Sequence, residues 1–262
     1  MKERADKLMV EQGLAESRRR AQALIMAGMV VVDGRRIEKP GQLLPTETLL
    51  GLKEKIPFVS RGGTKLAAAL KHFAVDVRDA IAADLGASTG GFTDCLLQMG
   101  ARKVYAVDVD PRQLDWRLQK DPRVVLIKKN ARYLSPDDIT EPVDLVTMDL
   151  SFISVLKVLP ALSRVGGRGW IVALIKPQFE VGRGRVGKKG IVRDPAQHRK
   201  VMKQVIEEAK VLGFGVAGVT RSPILGQKGN REFFILWIRG PSPLSPDDIE
   251  ARIREAVDDE SH

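Results

Sequence analysis

The chain has 262 residues, 44% of them hydrophobic, and 43 Lys and Arg against 33 Asp and Glu give a net charge of +10. That length suits one large domain plus a small one, and no stretch approaches the roughly eighteen consecutive apolar residues of a membrane span. A single cysteine, Cys95, excludes a disulfide framework or a cysteine-rich zinc centre, and with three histidines no metal is expected. The charged start Met1-Lys2-Glu3-Arg4 lacks the apolar core of a secretion signal, so the expectation is a soluble, cytoplasmic protein.

Residues 1–50 read as a separate module. Arg4, Lys7 and Leu8 lead into a short helix ending near Gly13. Ser17 is placed to cap a second helix through Arg18-Arg19-Arg20 to Met26, with Ala21, Leu24 and Ile25 at helical spacing. After Gly28, the runs Met29–Val32 and Arg35–Ile37 flank Asp33-Gly34, a hairpin signal. Two helices and an arginine-bearing hairpin make a compact basic α+β surface. A linker, 51–63, follows.

From residue 64 strand and helix signals alternate, the mark of a doubly wound parallel sheet with helices on both faces. A helix is predicted over Thr64–Phe73, then strands at Ile81–Leu85, Lys103–Asp108, Val124–Ile127, Val143–Met148 and Gly169–Ile175. Further helices are predicted over Phe92–Met99, Val155–Leu162 and His198–Leu212. Phe214–Val219 and Glu232–Ile238 read as a closing pair with an antiparallel edge. The main domain is expected to run over 64–240, and Ile249, Ile253 and Val257 mark an amphipathic helix in the tail, 241–262. Between Arg164 and Lys203 eleven Lys and Arg stand against Glu180 and Asp194 only. The stretch Arg183-Gly184-Arg185-Val186-Gly187-Lys188-Lys189 is its densest part, and such a segment suits a polyanionic partner.

In doubly wound folds ligands bind at the carboxyl ends of the strands, near the switch point. The first strand here ends in Asp84, and Gly86, Ser88, Thr89, Gly90, Gly91 and Phe92 form a glycine-rich turn into a helix. The spacing is not the dinucleotide G-x-G-x-x-G, and no Lys-Ser/Thr phosphate loop is present. An acidic start suits a donor without phosphates, such as S-adenosylmethionine. Asp108, ending the second strand, is placed for ribose hydroxyls. Asn130, beyond the third, could reach the adenine edge.

The acceptor side is read from the later strand ends. After the fourth strand stands Met148-Asp149-Leu150-Ser151-Phe152, without the Pro-Pro of many amine methylating sites. Cys95 lies inside a helix, misplaced for attack on a pyrimidine carbon. Instead Asp149 and Lys176, at neighbouring strand ends, face one cleft, and Lys65 and Glu232 stand at the ends of two further elements. Desolvation and a neighbouring cation free a lysine to assist a weakly acidic hydroxyl, and Asp149 is placed to orient it.

Lys65, Asp149, Lys176 and Glu232 resemble the Lys-Asp-Lys-Glu tetrad of FtsJ-like ribose 2'-O-methyltransferases. Val59-Ser60-Arg61-Gly62-Gly63-Thr64-Lys65-Leu66, the loop 84–93, Asp149-Leu150-Ser151-Phe152-Ile153-Ser154 and Lys176-Pro177-Gln178-Phe179-Glu180 together resemble the TlyA family. The N-terminal module is similar to the RNA-binding domain typified by ribosomal protein S-four. This resemblance covers the whole chain and implies a Rossmann-like class I methyltransferase sheet behind a small α+β RNA-binding domain. It further implies methyl transfer from S-adenosylmethionine to a cytidine 2'-hydroxyl in ribosomal RNA of one or both subunits. By it, Lys65, Asp149, Lys176 and Glu232 are catalytic, while Asp84, Gly86, Ser88, Thr89, Gly90, Gly91, Phe92, Asp108, Asn130 and Asp149 hold the donor. RNA or ribosomal subunits would be gripped by Arg4, Lys7, Ser17, Arg18, Arg19, Arg20, Arg183, Arg185, Lys188 and Lys189. The alternatives are a ribosome-binding factor that has lost its chemistry, a haemolysin, as the family's old label has it, and a pseudouridine synthase, which can share the N-terminal module.

Overall fold

The computed structural model describes residues 1–52, 57–165, 169–182 and 190–258. The chain divides into two compact units, residues 1–56 and 57–262. Among the described residues no helix is long and apolar enough to cross a membrane.

The first unit holds β1 (Lys2–Arg4), α1 (Ala5–Glu11), α2 (Arg18–Met26), β2 (Val30–Val32), β3 (Arg35–Arg36), β4 (Leu43–Pro45) and β5 (Gly51–Leu52). Ser17 caps α2 by accepting the Arg20 N–H at 3.2 Å. The hairpin forms as expected: Val31 faces Arg36 and Val32 faces Arg35. Its turn residues Asp33 and Gly34 both have positive φ, 47° and 74°, as the primed turn between twisted strands requires. Leu8, Met9, Ala21, Ile25 and Val30 pack as its core. The strands β1, β4 and β5 escape sequence reading because two or three residues carry no periodicity.

The second unit holds α3 (Arg61–His72), β6 (Ile81–Leu85), α4 (Gly91–Gln98), β7 (Lys103–Asp108), α5 (Trp116–Gln119), β8 (Val124–Lys128), β9 (Leu145–Met148), α6 (Leu159–Leu162), β10 (Trp170–Ile175), α7 (Pro177–Glu180), α8 (Pro195–Val211), β11 (Phe214–Arg221), β12 (Phe233–Arg239) and α9 (Pro246–Asp258). The sheet order is β11-β12-β10-β9-β6-β7-β8. β12 is antiparallel to both its neighbours, while the other pairings are parallel. This is the doubly wound, Rossmann-like sheet that the alternating pattern predicted. Its alternate residues feed two cores: Ala83, Leu85, Val107 and Met148 on one face, Ala82, Val104, Ala106 and Leu145 on the other.

Several elements differ from expectation: the short helices α5 and α7 were not expected, and α8 begins at Pro195 rather than His198, where Asp194 caps it by accepting the Ala196 N–H. Helix α3 starts at Arg61, three residues early, because Ser60 caps it by accepting the Gly62 N–H. Gly62 and Gly63, expected in a linker, form its first turn. The helix expected over 155–162 is instead a 3₁₀ turn, Val155–Lys157, followed by α6. Pro160 has no N–H to continue a helix begun at 155, and the chain restarts its turn at Val158.

Candidate active site

Strand order reverses between β6 and β9, so a cleft opens beyond their carboxyl ends. The chain leaves β6 through Gly86, whose φ is 85°; a Cβ there would lie 2.8 Å from the Asp149 carbonyl oxygen. Only glycine lets the two strand ends run this close. The Asp108 carboxylate accepts the Ser88 N–H and the Asp110 N–H, each at 2.9 Å, which fixes it at the rim. Gly86, Ser88 and Asp108 line a cavity of about 1000 Å³ with Asn130, Asp149 and Leu150. Asn130 also accepts the Arg132 N–H at 3.0 Å, and its side chain is thereby held at the cavity edge.

The rest of the loop serves packing more than lining. Gly90 lies against Leu114 and Leu118, where any side chain would collide, and Gly91 lies against Ser60. Phe92 stacks on Phe234 at 6.3 Å. Gly91, Phe92 and Thr89 do border a second cavity of about 460 Å³.

Asp84 lines neither cavity. It is fully buried and accepts the Thr93 hydroxyl at 2.7 Å and the Thr147 hydroxyl at 3.1 Å. Burial pushes its carboxyl up to about 7, against the pull of both hydroxyls. The unfolded chain keeps an ordinary value near 3.8, so between about pH 4 and 7 the folded protein binds the extra proton. The stability Asp84 contributes is therefore complete at the acid end of that window and is lost as pH rises towards 7. In urea unfolding, Asp84→Asn should gain on the wild type between pH 5 and pH 8, by an amount of the order of a few kcal/mol. A difference that stays level with pH would refute this account.

The second cavity gathers Lys65, Asp149, Lys176 and Glu232. They form two ion pairs. Lys65 Nζ donates to Glu232 Oε2 at 2.5 Å, with side chains 10% and 2% exposed. Lys176 Nζ lies 2.7 Å from Asp149 Oδ1 and donates to the Ser151 hydroxyl at 3.0 Å. Topology explains the meeting. Phe233 pairs with Ile175, and β12 runs backwards, so Glu232 just before it lies at the same sheet end as Lys176 just after β10. The loop 226–230 closes over Glu232, and a side chain at Gly226 would collide with its carboxylate.

Four residues singled out for no role of their own in the sequence reading complete the site. Asn230, 3% exposed, ties that loop down: its amide donates to the carbonyls of Gly190 at 3.1 Å and Gln227 at 3.3 Å, and its oxygen accepts the Val192 N–H at 3.1 Å. Phe152 is 89% exposed with φ 64°, and its ring meets Phe179 at 5.2 Å. Gln178 lies beside them. Phe152, Phe179 and Gln178 line both cavities, as do Gly86, Ser88 and Asp149, so the two spaces meet there. All four stand within or next to the strings around Asp149, Lys176 and Glu232; strand-end position was the signal available for them.

In the first unit the arginine-rich residues split. Arg4 and Arg18 pair with Asp6, and Lys7 pairs with Glu3 and, at 3.8 Å, with Glu11. Arg19 and Arg20 are exposed, with no ion pair among the described residues. Arg183, Arg185, Lys188 and Lys189 lie outside the described residues.

Residues 58–239 match the FtsJ-like methyltransferase family and residues 3–49 match the S4 domain. The Mycobacterium tuberculosis protein named 16S/23S rRNA (cytidine-2'-O)-methyltransferase TlyA is 45% identical over 97% of this chain and 97% of its own length. Bacillus subtilis YqxC, named as an rRNA methyltransferase, is 48% identical over 89% of this chain and 85% of its own. A solved structure from Streptococcus thermophilus, described as a hemolysin, superposes with a TM-score of 0.75 at 45% identity, covering 97% of this chain and 95% of that one. The chain belongs to the FtsJ-like methyltransferases, in their TlyA branch: an S-adenosylmethionine-dependent methyltransferase with an S4 domain at its amino end.

Proposed function

We propose that this protein methylates the 2'-hydroxyl of a cytidine in ribosomal RNA. The observation that carries the reading is the meeting of two cavities at Asp149, one edged by Gly86, Asp108 and Asn130, the other holding Lys176, Lys65 and Glu232. When bound, S-adenosylmethionine supplies a sulfonium methyl, an electrophile that needs no acid. The chain's part is to hold a nucleophile in line with it. Asp108 accepts ribose hydroxyls of the donor. Gly86 and Ser88 let the backbone approach, and Asn130 borders the base. Thr89, Gly91 and Phe92 edge the adjoining cavity, while Gly90 and the buried Asp84 shape the loop from behind.

On the acceptor side Lys176 reaches the entering hydroxyl and helps remove its proton, Asp149 aims that lysine, and the Lys65–Glu232 pair fixes the wall beside it. Fixing both reactants in a near-attack arrangement is worth several kcal/mol of barrier, and proton removal adds about 10²- to 10⁴-fold. The exposed Phe152 ring, braced by Phe179, offers a face for the acceptor's base. The first unit, residues 1–56, grips the RNA, with Arg4, Lys7, Ser17, Arg18, Arg19 and Arg20 on its backbone, and the second, from residue 57, carries out the transfer. Arg183, Arg185, Lys188 and Lys189 add contacts to the RNA backbone. The substrate is ribosomal RNA, free or in a subunit, in the cytoplasm.

Incubation with methyl-labelled donor and unmodified ribosomal RNA, followed by nuclease digestion, tests this. Label should be recovered as 2'-O-methylcytidine. Recovery on a base, or no label with either free RNA or subunits, would overturn it.

A further inference from the structure

Asp6 stands in the first turn of α1 and is fully buried. Its partners come from two other elements. Arg4, ending β1, donates from Nε to Oδ1 at 3.0 Å and from Nη2 to Oδ2 at 2.9 Å. Arg18, opening α2, reaches Oδ2 at 3.3 Å, and Gln22, one turn along the same helix, donates to Oδ2 at 2.7 Å. The Arg4 guanidinium holds the Asp6 carboxyl far below the usual carboxylate range, helped by Gln22 and Arg18, so the group is an anion throughout neutral pH.

One buried negative charge thus faces two guanidiniums, and the pair keeps a net positive charge. Both arginines remain open to solvent, their side chains 43% and 54% exposed. The Arg4 fork is also seated from behind: its Nη1 would lie 3.1 Å from a Cβ at Gly41. The turn carrying Gly41 is itself tied to α1, the Ala5 N–H donating to the Gln42 carbonyl and the Asp6 N–H to the Pro40 carbonyl. A long side chain loses rotamer freedom when it grips a ligand, and one already held loses less.

We propose that Asp6 is a positioning residue for RNA: it holds Arg4 and Arg18 as a fixed pair of guanidiniums that together engage the phosphate backbone. The inference rests on the reading of residues 1–50 as the RNA grip. It makes a prediction opposite in sign to simple charge counting. Neutralising a buried anion raises the positive field, and electrostatics alone would tighten binding to a polyanion. If the carboxylate directs the arginines, neutralising it weakens binding.

The test is filter binding of the full chain to protein-free ribosomal RNA at fixed salt, with steady-state methylation alongside. Asp6→Asn should weaken binding about three- to tenfold and raise KM for RNA, with kcat at saturating RNA unchanged. Equal or tighter binding overturns the proposal. Should the asparagine variant lose its folded first unit, Arg18→Lys asks the same question, because it keeps the charge and discards the held fork. A loss of the same order is expected, and undiminished affinity again overturns it. In the Arg18→Lys background Asp6→Asn should cost less than it does alone; full additivity would show that Asp6 does not act through Arg18. The double change Arg19→Glu with Arg20→Glu addresses the underlying reading separately. If that variant binds RNA as the wild type does, the first unit is not the grip, whatever Asp6→Asn does.

Discussion

Lys176→Ala will slow methyl transfer by about 10³-fold, with S-adenosylmethionine bound as tightly as by the wild type. The side chain lines the smaller cavity and not the larger one, so its loss empties the acceptor side and leaves the donor side built. Its ammonium is held on two sides, by Asp149 Oδ1 at 2.7 Å and the Ser151 hydroxyl at 3.0 Å. That restraint aims Nζ, and an alanine leaves nothing to orient the entering hydroxyl. Single-turnover transfer to ribosomal RNA and calorimetric titration of the donor separate the two effects. A variant turning over within about tenfold of the wild type would remove Lys176 from the chemistry.

Gly86→Ala will act first on the donor. A non-glycine residue at a φ of 85° costs about 1–3 kcal/mol in backbone strain, and here its Cβ would also press on the Asp149 carbonyl at 2.8 Å and Leu150 Cδ2 at 3.2 Å. The push moves Asp149, the carboxylate common to both cavities. Donor affinity should fall about tenfold to a hundredfold, and turnover with it. Gly213→Ala is the matched control: its φ is 86°, yet nothing lies within 4 Å of its Cβ, so it pays strain without collision. If both variants bind donor equally well, the close approach at Gly86 does not matter for binding.

Legibility in the sequence followed the range of the interactions. The parallel core was readable because β6, β7, β9 and β10 are apolar runs bounded by turn residues, and because ligand residues in such sheets stand at strand ends. Asp149 and Lys176 are found by that rule. Their pairing follows from the same rule, because the consecutive strands β9 and β10 are neighbours in the sheet. Glu232 was placed as a strand residue near a cleft, but its contact with Lys65 spans 167 positions and requires the reversed direction of β12. The loop-closing role of Asn230 and the exposed pose of Phe152 come from backbone geometry that residue type does not announce. Total charge says less than its distribution. Arg78, Arg112, Arg117 and Arg123 each pair with an aspartate two residues earlier, so these four add nothing to the basic excess.

The placement of β12 has a consequence for how the molecule is made. It is the last strand in the chain, yet it lies inside the sheet, between β10 and β11. β11 leaves the ribosome first and has no hydrogen-bonded neighbour until β12 is wedged in beside it. Glu232 arrives with the same segment. The parallel strands and the donor loop all precede β12 in the chain, whereas the buried lysine–glutamate pair exists only once β12 has docked, so the acceptor side is completed by the strand made last.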